Sequence, residues 1–237
     1  MGFKQSSDVL FHYTKDLATL KAIVKSGCFL PSYSAQYGWD GTDFAIPVVC
    51  FCDIPYSRIE EHTSYYGAYG IGMSKKWARM QKISPVFYVD SGSKMHNKIE
   101  YILRRIKGGE KVDDLAYLLF YVKKVCGLDV SFKNKEEKPV IDNKRKFYDE
   151  REWRYVPDIE YSSHIIIDNY REKRPVFDNI KVHKYKATFD ASDIDYIFVK
   201  SESERKNIIK FIEKEVRKEA VSLISKIDSI EHIRNNS

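Results

Sequence analysis

The chain of 237 residues has room for one large domain or two small ones, and 43% hydrophobic with 14% aromatic residues supplies a core, which excludes general disorder. No apolar run approaches the roughly 18 to 20 residues of a membrane span, and residues 1–8 lack the apolar stretch of a signal peptide, so a soluble cytoplasmic protein without a membrane partner is expected. Forty Lys and Arg against 34 Asp and Glu leave +6, a balance that permits a polyanionic partner such as a nucleic-acid acceptor or a phosphate-bearing cofactor without demanding one.

In chain order, residues 9–13 read as a short buried strand, and Leu17, Leu20, Ile23 and Val24 mark a helix that Gly27 ends. A strand over 46–51, a helix over 57–65, a strand over 69–73, a helix over 75–81 and a strand over 85–89 follow. Helices are expected over 94–106 and 113–125, then an exposed charged loop over 133–146, then strands over 152–156, 181–189 and 196–199. From about Ser201 the residues Ile209, Ile212, Val216, Ala220, Leu223, Ile227 and Ile230 recur at steps of three and four, which predicts one long amphipathic helix. The order is neither a regular βαβ alternation nor all-β. It predicts an α+β fold with a mixed, split sheet and surrounding helices, a single domain over 1–200, and a C-terminal helix over 201–237 docked on it.

Polar residues interrupt these strands in four places: 11–14 (FHYT), 50–55 (CFCDIP), His62 with 65–72 (YYGAYGIG), and 148–156 (YDEREWRYV). Each has a plain structural alternative, a satisfied core histidine, half-buried tyrosines, or the exposed face of a strand. Strand alternation places Glu150, Glu152 and Arg154 on one face, so two carboxylates project together, either as a reactive pair or as a surface pair bridged by Arg154. Cys28, Cys50, Cys52 and Cys126 form neither a disulfide framework nor paired C-x-x-C knuckles; free thiols in a reducing cytoplasm fit, and no metal site is assigned. Gly67, Gly70 and Gly72 lack the βαβ context of a dinucleotide fingerprint and read as a tight turn into the following strand.

The block H-Y-T at 12–14 with its Gly-ended helix, AIPVVCFCDIP at 45–55, YGAYGIGMSKKW at 66–77 and EREWRYVP at 150–157 together resemble the AbiGi family of bacterial abortive-infection proteins. That resemblance implies anti-phage defence and the antitoxin half of a toxin–antitoxin pair. More distantly, His12-x-Thr14 before a helix with Leu20, Ile23 and Gly27 is similar to the opening of DarT-type ADP-ribosyltransferases, although Thr19 stands where those enzymes carry an asparagine. The similarity implies NAD as substrate, cofactor binding by His12, Tyr13 and Thr14, stacking by Tyr66 or Tyr69, and Glu152 as catalytic carboxylate with Glu150 beside it. Cleavage of the nicotinamide–ribose bond passes through an oxocarbenium-like state that such a carboxylate would stabilise.

Two functions are therefore expected to compete. One is an NAD-dependent mono-ADP-ribosyltransferase that modifies nucleic acid or protein; the other is a non-catalytic antitoxin that binds a cognate toxin. A nuclease is a weaker third reading, because Asp40, Asp43 and Asp53 lack a metal-site spacing.

Overall fold

Local chemistry sets the first two elements. The Asp16 carboxylate accepts the Thr19 backbone N–H at 2.7 Å and starts a helix, and Gly27 closes it at φ 61°, a left-handed position that costs glycine little. The computed structural model describes residues 7–37, 43–110, 117–126, 146–158, 166–167 and 184–235. Along them run β1 (Val9–Thr14), α1 (Leu17–Ser26), β2 (Cys28–Phe29), β3 (Ser32–Tyr37), β4 (Asp43–Cys52), α2 (Ile59–Tyr66), β5 (Tyr69–Ser74), α3 (Lys75–Met80), β6 (Ser84–Pro85), β7 (Phe87–Val89) and α4 (Lys94–Lys107). There follow β8 (Val122–Lys124), β9 (Glu152–Tyr155), β10 (Ile166–Ile167), β11 (Ala187–Thr188), β12 (Ile194–Val199), α5 (Glu202–Glu215), α6 (Ala220–Ile224), β13 (Ile227–Ser229) and α7 (Ile230–Asn235).

The chain divides into two compact units, the first built from Met1–Phe29, Cys50–Ile83 and Ala187–Ser237, the second from Leu30–Val49 and Ser84–Lys186. In the first unit β1 pairs antiparallel with β5, from Val9↔Ser74 to Thr14↔Tyr69, and its other edge meets the end of β4 at Phe11↔Cys52. β12 pairs antiparallel with β5 and parallel with β13, so the sheet is mixed, in keeping with the α+β expectation. One face buries Val9 and Phe11 against Ile54, Ile59, Phe198, Ile230 and Ile233. Gly70 of β5 lies on that face, where a Cβ would fall inside the Phe198 ring and the His12 carbonyl oxygen. Bareness at this position makes room for the aromatic ring of the neighbouring strand. The other face carries Phe29, Phe51 and Trp77, whose rings pack edge-on or tilted 5.2 to 5.7 Å apart.

In the second unit β3 and β10 both pair antiparallel with the first part of β4, β6 pairs with β9, and β7 runs parallel with β8. The helix expected over 113–125 is corrected at its end. Residues 122–124 are extended because they pair along β7, with Phe87 opposite Val122, a long-range partner that local periodicity does not reveal. The strand expected over 181–189 shortens to β11, and residues 133–145 of the expected loop, with 181–183, lie outside the described residues.

The single long C-terminal helix is also corrected. α5 stops at Glu215, Val216 leaves helical geometry at φ −127°, and a short turn, α6, β13 and α7 complete the tail. Of the expected stripe Ile212, Leu223, Ile227 and Ile230 are buried, while Ile209, Val216 and Ala220 are half-buried and Ile208 is buried in place of Ile209; Ile227 is buried as a strand residue opposite Ile197. A broken path buries part of such a stripe, and the β-branched Ile227 covers the edge of β12 instead of continuing a helix. Among the described residues no helix is long and apolar enough to cross a membrane.

Candidate functional site

Four charged side chains of the second unit meet at β8 and β9. Along β9 the side chains of Glu152 and Arg154 are buried on one face, as alternation requires, while Trp153 and Tyr155 are half-buried. Glu150 does not share that strand, contrary to the alternation expected for it. It closes a single turn of 3-10 helix over Phe147–Glu150, and Arg151 adopts φ 46°. That kink brings Glu150 back beside Glu152 by a different route.

Between the two carboxylates stands Lys123 of β8, its Nζ 2.5 Å from Glu150 Oε2 and 2.7 Å from Glu152 Oε2. Arg154 Nε donates to Glu152 Oε1 at 2.6 Å, and its Nη1 to the Phe120 carbonyl at 2.6 Å. The Glu152 backbone N–H donates to the Tyr88 hydroxyl at 2.8 Å. Burial alone would depress the Lys123 ammonium, but the two facing carboxylates outweigh it and raise its pKa above the ordinary lysine value. Among the described residues two acids and two bases meet here, with Glu152 4% exposed.

His12, Tyr13, Thr14, Tyr66 and Tyr69 lie in the first unit, and the sheet divides them. His12 and Thr14 point to the Phe29–Phe51 side, together with Tyr69, which stands opposite Thr14 in the register. Tyr13 points to the opposite side, where its ring lies 5.8 Å from Tyr66 and 6.2 Å from His62. His12 Nδ1 lies 2.9 Å from the Cys50 carbonyl oxygen; a carbonyl only accepts, so that nitrogen carries the proton. Burial lowers the His12 pKa, and the Cys50 bond partly offsets this. The Tyr69 hydroxyl donates to Glu204 Oε1 at 2.8 Å; burial first, then Glu204, pushes its pKa up to about 12. Burial also raises the Tyr13 hydroxyl, helped by nearby Cys52.

Sequence reasoning missed two cations. Lys123 was hidden inside an expected helix, and Lys75 pairs with buried Asp53 at 2.7 Å, where Asp53 also accepts the Ser7 N–H at 3.1 Å. A polar residue inside the apolar block 50–55 was the available signal for the second. Among the described residues no group of three His, Cys, Asp or Glu side chains is placed to hold a metal ion.

Residues 36–200 match a family model described as "Putative abortive phage resistance protein AbiGi, antitoxin". The chain is 32% identical over 224 residues to the "Abortive phage resistance protein AbiGi" of Lactococcus lactis subsp. cremoris, covering 82% of this chain and 90% of that protein. No solved structure matches.

Proposed function

Because the chain belongs to the AbiGi family of abortive phage resistance proteins, we propose that it acts as an antitoxin, holding a cognate toxin inactive by direct binding. The observation that carries this reading is the commitment of Glu152. A catalyst of ADP-ribosyl transfer needs a carboxylate turned toward the ribose and its developing positive charge. Here one Glu152 oxygen faces Arg154 and the other Lys123, and both lie in the protein interior. The division of His12, Thr14 and Tyr69 from Tyr13 and Tyr66 across two faces of one sheet also favours structural roles for these side chains.

The test is co-expression with the toxin encoded beside it. Growth arrest by the toxin alone, relief when this chain is present, and a joint peak in gel filtration are the expected results. Purified chain incubated with NAD is expected to release no nicotinamide. Release that Glu152→Gln abolishes would overturn the antitoxin reading in favour of ADP-ribosyl transfer.

A further inference from the structure

Residues 75–82 (KKWARMQK) carry four cations and no acid, a larger excess than any other eight consecutive described residues hold. They form α3 and the turn that ends it, in the first unit. Buried Trp77 and Ala78 fasten the helix there, and Trp77 Nε1 donates to the Thr188 carbonyl at 2.9 Å. Lys75 is engaged by Asp53. Lys76, Arg79 and Lys82 are exposed, and no acid among the described residues pairs with any of their side chains.

Two of these three cations sit where local chemistry disfavours them. Lys76 lies in the first turn of α3, at the positive end of the helix dipole, where an acid is the stabilising choice and none is present. Lys82 follows the helix at φ 57°, in the left-handed region. The Ile83 N–H donates to the Ala78 carbonyl at 2.9 Å and the Lys82 N–H to the Arg79 carbonyl at 3.1 Å, the paired closure whose left-handed place glycine ordinarily fills. A lysine there carries steric strain that glycine would relieve. Only Arg79, in the last turn, suits the dipole. Local folding thus gains nothing from the charges of Lys76 and Lys82, and local rules broken together at an exposed place point to a functional surface.

We infer that the exposed face of α3 and its closing turn, through Lys76, Arg79 and Lys82, binds the phosphate backbone of duplex DNA. Cations gathered without acids call for a polyanion, and the net charge of +6 adds attraction at long range. The one aromatic among residues 75–82, Trp77, is buried, so this face lacks the stacking platform that single strands use. It also exposes no hydroxyl or amide to read a ribose 2′-hydroxyl. A DNA duplex presents one negative charge per about 1.7 Å of its axis, which three unpaired cations can meet without reading a base. The inference goes beyond the antitoxin reading and does not depend on it.

The full chain is titrated by fluorescence anisotropy with labelled DNA duplexes of about 20 base pairs in two unrelated sequences. Wild type is expected to bind both alike and to lose about fortyfold in affinity between about 50 and 200 mM salt, as three phosphate contacts require. Lys76→Glu and Lys82→Gly should each weaken binding roughly tenfold at the lower salt, and Lys82→Gly should make the salt slope shallower by about one. Both variants should melt at or above the wild-type temperature, since each relieves a local penalty. Lys210→Ala, exposed on α5, leaves binding unchanged. Wild type that binds no duplex, variants that bind like wild type, or an equal loss in Lys210→Ala would overturn the inference. A lower melting temperature in both variants would show cations kept for folding and overturn it too. Tighter binding of the matching single strand or RNA duplex would overturn the choice of duplex DNA. Loss of toxin binding in the same variants, with no duplex bound by wild type, would give the face to a protein partner and likewise overturn it.

Discussion

Glu152, a candidate catalytic carboxylate by sequence likeness, is held in the fold between Lys123 and Arg154. Its negative charge faces the fully buried Arg154 and the mostly buried Lys123, so Glu152→Gln should lower unfolding stability by about 3 kcal/mol, the scale of breaking one side of a buried pair. Replacing Glu152 and Arg154 together by Leu and Met removes one charge of each sign, leaves Lys123 with Glu150, and should recover most of that loss. Urea denaturation of both variants decides; equal losses would refute the pairing account. His12 supplies a pH dependence. Its folded pKa lies below the 6.5 of an exposed histidine, so between the two the unfolded chain binds the extra proton. Stability from this group is therefore complete above about pH 6.5, falls as pH drops through that value, and levels off below the folded pKa. His12→Phe should flatten that part of the stability–pH curve relative to wild type. An unchanged slope would show that other groups dominate it.

At the scale of elements, β5 depends on what it lacks. Gly70→Ala would drive a methyl into the Phe198 ring, and should cost about 1 to 3 kcal/mol as an overpacked core does, measurable as a lower denaturation midpoint. A neutral result would mean that β12 moves aside freely. This bareness was written in the sequence as two glycines, Gly70 and Gly72, but their purpose was not, because Phe198 is 128 positions beyond Gly70 along the chain. Strand periodicity did place β1, β5, β9 and β12, and Gly27 did mark the end of α1. What periodicity could not carry was pairing: β8 and β13 are strands because distant partners make them so. The candidate site follows the same division. Glu152 and Arg154 could be paired from their spacing along a strand, whereas Glu150, which arrives by the turn at Arg151, and Lys123, 27 and 29 positions before the two carboxylates, could not. The division of His12 and Thr14 from Tyr13 was legible from alternation alone.

For the molecule as a whole, the first unit is gathered from three separate stretches, and its last stretch is indispensable. A chain ending at Lys226 loses Ile227, Ile230 and Ile233, all buried, and uncovers the edge of β12. Each such side chain contributes roughly 2 kcal/mol, and together they approach the whole stability of an ordinary domain. The truncated product should elute as aggregate in gel filtration; a soluble monomer with a cooperative unfolding transition would contradict this. The position of β12 has a further consequence, one of timing. Its neighbour β5 leaves the ribosome about 120 residues earlier, a delay of roughly 6 to 24 seconds at ordinary rates of synthesis. Throughout that interval β5 has one edge without its partner, and the nascent protein is exposed to chaperones and proteases rather than folded. An interruption late in the message thus yields no shortened working protein, only a chain marked for disposal.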